Sequence, residues 1–219
     1  MKRYELSSIV ALMLMAMSTP ARATHPCTSP LILDLDGDHR IATTGLSRAV
    51  LFDVNADGEL EEIGWTSEYY EEAFLWMDSN HNRAVDSGRE LFGNATLLPD
   101  GTTAESGFEA LAVWDDPAQG GNGDGLISNK DRVWPRLRLW IDRNHDASTQ
   151  SDEIATLPSR GIRALGLDFR RINRSGGNLN VHFLEGSFVK RVEVLGESYE
   201  RLGLMEDVLF TFRVDAGEP

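Results

Sequence analysis

The sequence predicts an α+β domain in which short helices and strands are linked by Asp- and Asn-rich loops, with a small antiparallel sheet at its C-terminal end. Three observations support this. Loops with alternating Asx residues recur five times between residues 34 and 153. The apolar segments between them are short and show two periods, one of strands and one of helices. After Pro158 the acidic loops stop, and runs of alternating apolar residues replace them.

Residues 1–23 carry Lys2 and Arg3, an apolar run from Ile9 to Met17, and Ala21-Arg22-Ala23, which together read as a signal peptide with its cleavage site. The run is shorter than the ~20 residues a membrane helix needs, and no later stretch could span a bilayer. A secreted or periplasmic product is expected. Residues 24–29 then form a flexible tail, and 30–219 a single domain. The formal charge of −14 becomes −16 once Lys2, Arg3 and Arg22 leave together with Glu5. Such a balance argues against nucleic acid and anionic membranes, and makes the compact chain repel itself unless cations neutralise it. Cys27 is the only cysteine, so no internal disulfide can form, and it reads as an unpaired thiol in the tail.

Taken in order, Leu31 to Leu35 and Val50 to Phe52 read as strands that deliver the chain into loops 1 and 2. Loop 1 has Asp34, Asp36 and Asp38 at positions 1, 3 and 5 and Ile41 at position 8, but Gly45 at position 12. Loop 2 has Asp53, Asn55 and Asp57, then Gly58 at position 6 and Leu60 at position 8, with Gly64 at position 12. Either these two bind weakly or an acid from elsewhere, such as Glu59, Glu61 or Glu62, completes them. A helix is predicted over Glu68 to Met77, capped by Ser67, because Tyr70, Ala73, Phe74 and Met77 fall on one face. Loop 3 follows with Asp78, Asn80, Asn82 and Val85, and with Glu90 one place beyond position 12. Ser87 and Glu90 also fit a capping box.

Pro99 to Thr103 is a turn, and Ser106 with Glu109 caps a helix burying Phe108, Leu111 and Ala112. In loop 4, Asn122, Asp124, Gly125, Ile127 and Asp131 occupy positions 3, 5, 6, 8 and 12, while position 1 is Gly120. The first ligand is therefore expected from Asp115 or Asp116, with the intervening residues looped out. A strand through Leu137, Leu139 and Ile141 enters loop 5, where Asp142, Asn144, Asp146 and Glu153 hold positions 1, 3, 5 and 12. Ala147 stands where Gly is usual, at a cost of roughly 1–2 kcal/mol for the left-handed turn. Later runs through Leu165–Phe169, Leu179–Phe183, Val192–Val194 and Val208–Phe212 form the C-terminal sheet, with a turn at 173–178.

The spacing has a chemical cause. A hard cation needs 6 to 8 oxygens at once, so alternate side chains must turn inward while a distant carboxylate reaches back. Five such loops, four with an aliphatic residue at position 8, read as EF-hand-like calcium loops. Ca²⁺ suits them better than Mg²⁺, which demands tighter octahedral geometry, and affinities of roughly 10⁻⁴–10⁻³ M suffice outside the cytosol. His39, His81 and His145 lie inside loops without zinc-type spacing and read as solvated. The tryptophans read as core. No phosphate cradle, nucleophile elbow or Cys/His pair is present, so no catalytic residue and no enzyme activity are expected.

Pro30-Leu-Ile-Leu-Asp-Leu-Asp-Gly-Asp38, Gly88-Arg-Glu-Leu-Phe-Gly93, Gly107-Phe-Glu-Ala-Leu111, Asn122-Gly-Asp-Gly125 and Leu137-Arg-Leu-Trp-Ile-Asp142 resemble the calcium-binding, self-processing module of bacterial repeats-in-toxin (RTX) proteins. The resemblance implies a module folded by calcium and cleaved at an Asp-Pro bond at its front edge. Here Ser29 precedes Pro30, and Ser lacks the carboxylate that such cleavage needs. An exported, calcium-binding protein with a structural or binding role is expected, its sheet or tail engaging an unidentified partner. The competing expectation is calcium-triggered self-cleavage at Asp116-Pro117, the chain's only Asp-Pro bond.

Overall fold

The computed structural model describes residues 28–176 and 178–213; the expected signal peptide and Cys27 lie outside the described residues. Its strands are β1 Leu31–Asp34, β2 Val50–Phe52, β3 Glu61–Ile63, β4 Glu72–Met77, β5 Leu126–Ser128, β6 Leu137–Trp140, β7 Ile154–Thr156, β8 Ile162–Ser175, β9 Val181–Val194, β10 Glu197–Leu209 and β11 Phe212–Arg213. Helix α1 spans Gly107–Ala112. Eight strands form one antiparallel sheet in the order β5-β8-β9-β10-β1-β4-β6-β7, which curls into a half-barrel. The remaining three pair as β11-β3-β2.

The centre of the large sheet is buried on both sides. On β1 and β4, Leu31, Leu33, Ala73 and Leu75 face an aliphatic cluster with Phe108 and Leu111 of α1, Leu139, Phe188 and Met205. Ile32, Phe74 and Trp76 face the opposite way, into an aromatic cluster with Phe52, Trp65, Trp140 and Phe210. Trp65 is its hub, with ring centroids 4.6 Å from Phe74, 5.1 Å from Phe52 and 5.5 Å from Trp140.

The expected α+β class is corrected: the chain is mostly β, and among the described residues α1, six residues long, is the one α-helix. The segment expected as a helix over 68–77 is a turn followed by β4. Because β4 runs between β1 and β6 and is covered on both faces, every residue from Glu72 to Trp76 is buried. A strand so placed loses its period-2 signature, and its continuous apolar run matched a helical face by accident. Nor is the C-terminal sheet small or separate, since β8, β9 and β10 run 13–14 residues each and β10 pairs with β1. Ser106 does cap α1, its Oγ accepting from Glu109 N–H at 3.2 Å, although Ala110 rather than Ala112 is buried. Of the expected tail, the described Thr28 and Ser29 are buried: Thr28 bridges Phe210, and Ser29 N–H donates to Asn94 Oδ1 at 3.0 Å.

Candidate metal centre

All five loops fold onto the same ladder of Asx hydrogen bonds. The position-6 N–H of each donates to the carboxylate of its first acid: His39 to Asp34 at 2.8 Å, Gly58 to Asp53 at 3.1 Å, Arg83 to Asp78 at 3.1 Å, Gly125 to Asp115 at 2.9 Å and Ala147 to Asp142 at 2.8 Å. At each third position an Asx side chain accepts from the fifth residue's N–H, in the pairs Asp36–Asp38, Asn55–Asp57, Asn80–Asn82, Asn122–Asp124 and Asn144–Asp146. The fifth side chain then accepts from residue seven: Arg40, Glu59, Ala84, Leu126 or Ser148. Such a ladder needs φ > 0 at positions 4 and 6, which Gly37/His39, Ala56/Gly58, His81/Arg83, Gly123/Gly125 and His145/Ala147 all adopt. Ala147 keeps the turn, at φ 53°, and bears its strain.

Each ladder is closed by a buried acid. Glu61 accepts from Val54 N–H, Glu90 from Ser79 and Asp86 N–H, Asp131 from Asn122 and Ser128 N–H, and Glu153 from Arg143 N–H at 2.8 Å. Loop 1 receives Glu72 from β4, which stands opposite Asp34 in the β1–β4 register and accepts from Ala42 N–H at 2.7 Å. Burial, with the charges of Asp34, Asp36 and Asp38 added, pushes Glu72 up to about 9. Burial also raises Asp34, Asp53 and Glu61 above the usual carboxylate range. Glu72 Oε2 and Asp78 Oδ1 are buried without a hydrogen-bond partner. Orphaned, desolvated oxygens beside further carboxylates are costly without a cation and well matched to a hard one.

Every residue expected as a ligand therefore sits on a ladder or closes one. Spacing left two participants among alternatives, Asp115 beside Asp116 and Glu61 beside Glu59 and Glu62, and missed a third, Glu72. Asp115, left level with Asp116, takes the first position of loop 4, with both oxygens accepting at 2.9 Å, from Gly123 and Gly125 N–H. Asp116 instead turns its Oδ1 to Ala118 N–H at 2.7 Å and opens the looped-out turn, which returns at Gly121 against Asp115. Glu72 was hidden in the segment read as a helix. Its signal was an acid at the head of the apolar run, Glu72-Ala-Phe-Leu-Trp76, in a chain whose first loop was left unclosed.

The loops are also tied to one another. Gly88 N–H donates to Asp53 O at 2.8 Å and Val85 N–H to Thr149 Oγ1 at 2.9 Å, joining loop 3 to loops 2 and 5. His145, expected to be solvated, is wedged between Thr66 O and Arg48 O at 3.0 Å each. Loop 1 lies under the β9–β10 hairpin, where Lys190 Nζ donates to Leu35 O at 2.6 Å and Arg201 to Gly37 O at 3.2 Å.

Fold and loops together define a mostly-β domain assembled around acid-closed Asx loops flanked by strands. The chain belongs to the SPM domain family, whose profile matches residues 31–202. It is 39% identical over 163 residues to the iron-regulated protein FrpA of Neisseria meningitidis serogroup C, an alignment that covers 74% of this chain and 14% of that protein. The expected identification as an EF-hand-like domain resembling the RTX self-processing module is thereby corrected: the matching family is the SPM domain, and among the described residues no loop is flanked by the helix pair of an EF-hand. Among the described residues no helix is long and apolar enough to cross a membrane.

Proposed function

We propose that the chain is an exported calcium-binding domain with a structural or binding role, in which Ca²⁺ stabilises a fold that is otherwise crowded with negative charge. The observation that carries this reading is the repetition of one ladder, closed by one buried acid, in all five loops. Oxygens are the whole donor set. Hard oxygen ligands in flexible loops favour Ca²⁺ over transition metals and over Mg²⁺. Among the described residues, the carboxylates of Asp34, Asp36 and Asp38 bring ligand oxygens within 4.8 Å of one another. On this reading the ion supplies positive charge to orphaned carboxylates, and no bond in the chain is made or broken.

The test is thermal unfolding of the chain without residues 1–23, in chelator, in millimolar calcium and in millimolar magnesium. Two sites occupied at 100 Kd would add roughly 5 kcal/mol, a shift too large to miss. Equal melting in all three buffers would refute the reading. The competing reading, self-cleavage at Asp116-Pro117, requires the Asp116 carboxylate to turn back onto its own carbonyl, whereas Oδ1 points forward to Ala118 N–H. A single intact band after calcium incubation is expected.

A further inference from the structure

Where β4, β6 and β7 lie side by side at the edge of the large sheet, the surface opens into a cleft of about 510 Å³, the size of a small-molecule site. Trp76 of β4 and its cross-strand partner Arg138 of β6 line it, together with His81 and Arg83 of loop 3 and Arg136 from the turn ahead of β6. The chain carries 35 acidic residues against 21 lysines and arginines, and here the balance is inverted: three arginines and a histidine stand against one acid, Asp78. That carboxylate is turned into its own loop, with Oδ2 accepting from Arg83 N–H at 3.1 Å and Oδ1 buried. Elsewhere Arg48, Arg170 and Arg213 each pair with a glutamate, whereas among the described residues none of the cleft's four basic groups forms an ion pair. Two of them are nevertheless held in place. Arg138 Nη1 donates to Pro135 O at 2.7 Å and to Leu137 O at 2.8 Å, and the Arg136 guanidinium lies 5.6 Å from the centroid of the Trp114 ring. Trp76, 2% exposed, has its indole N–H buried without an acceptor. Loop 3 also keeps His81 and Arg83 at φ 65° and 69°, a conformation that glycine adopts far more readily.

We infer that this cleft binds a small, soluble phosphate ester carrying more than one phosphoryl group. Guanidinium groups that are positioned but not neutralised present N–H edges that match phosphate oxygens in pairs. A single free phosphate would leave most of the cleft empty, and exposed Pro135 with half-buried Ile154 offers apolar surface to the carbon skeleton of an ester. A membrane bearing the same phosphates is disfavoured as their source. It would face the whole acidic surface of the protein, whereas a small ligand meets only the local field of the cleft. The inference goes beyond the calcium reading, since Arg83, Arg136, Arg138 and His81 are not among the residues that ligate an ion in it.

Titration calorimetry with fructose bisphosphate, on wild-type protein in millimolar calcium, tests this. Fructose is the uncharged control, and vesicles of phosphatidylcholine with and without phosphatidic acid form the membrane arm. The expected result is saturable binding of fructose bisphosphate, no binding of fructose and no attachment to either vesicle. Arg83→Gly and Arg136→Gln should each weaken binding about tenfold or more, while Arg170→Gln, on β8 outside the cleft, should leave it unchanged. Arg83→Gly separates a binding role from a structural one, because it relieves the left-handed turn: it should bind less and yet melt no lower than wild type. Absence of saturable binding overturns the inference. So does binding that survives both cleft substitutions, which would run through ions held in the loops, or binding that Arg170→Gln weakens equally, which would report net charge alone. Attachment to phosphatidic acid vesicles without binding of the soluble ester overturns it as well.

Discussion

The Trp65 indole N–H donates to Asp142 Oδ2 at 2.8 Å, so the hub of the aromatic core is bonded directly to the first acid of loop 5. Trp140 makes the matching contact at the other end of that loop, to Glu153 Oε2 at 3.3 Å. An ion drawing on either carboxylate must alter the surroundings of both indoles. Calcium is expected to change tryptophan emission in wild type, and Glu153→Gln to remove most of that change. Trp65→Phe should cost roughly 1.5–3 kcal/mol of stability, because a charge-assisted hydrogen bond is lost and a buried carboxylate oxygen loses a donor. Denaturant midpoints would report it.

Neighbouring aspartates at the entrance to loop 4 should behave oppositely. Asp115→Asn removes a carboxylate that two backbone N–H groups converge on, and is expected to weaken calcium binding at that loop tenfold or more (about 1.4 kcal/mol). Asp116→Asn leaves a side-chain oxygen for Ala118 N–H and should bind calcium as wild type does. Titration calorimetry on the two variants separates them.

At position 6 of loop 3, Arg83 is exposed and holds φ at 69°. Arg83→Gly should therefore stabilise the domain by roughly 0.5–1 kcal/mol, while Gly58→Ala, at φ 91° in the equivalent place, should destabilise it by a similar amount. Melting temperatures of the pair should move in opposite directions.

Away from the loops, burial pushes Asp207 up to about 7, against the pull of the Gly107 N–H, which donates to it at 2.5 Å, and of the Ser29 side chain. A carboxyl whose folded pKa lies above its unfolded value near 3.8 keeps its proton in the native state while the unfolded chain loses it. The contribution of this group is therefore fully present below about pH 3.8 and is lost as pH rises to about 7, by up to roughly 4 kcal/mol. Unfolding in chelator across this range should show that slope, and Asp207→Asn should flatten it.

The loops were legible in the sequence and the scaffold was not, for reasons that differ. Asx ladders are local: Asp142, Asn144 and Asp146 bond to backbone within a few residues, so spacing alone encodes them. Strand β4 is defined by partners 42 residues before Phe74 and 66 after it, Ile32 and Trp140, and nothing in its own period records them. That misreading concealed Glu72, since an acid off the apolar face of a supposed helix invites no question. His145 was read as solvated for a related reason: its partners, Thr66 O and Arg48 O, come from a segment far back in the chain.

Strand β1, near the N-terminal end, lies between β4 and β10. Its pairing with β10, Leu31 opposite Asp207, spans most of the described chain, so the sheet's centre cannot close until residues beyond 200 have been synthesised. Contacts this distant in sequence close slowly, because the entropy of the long intervening loop is lost before any pairing compensates it. The large sheet is therefore completed only once translation of the described residues is nearly over. The chain's topology, as much as any ion, sets the moment at which it becomes a folded protein.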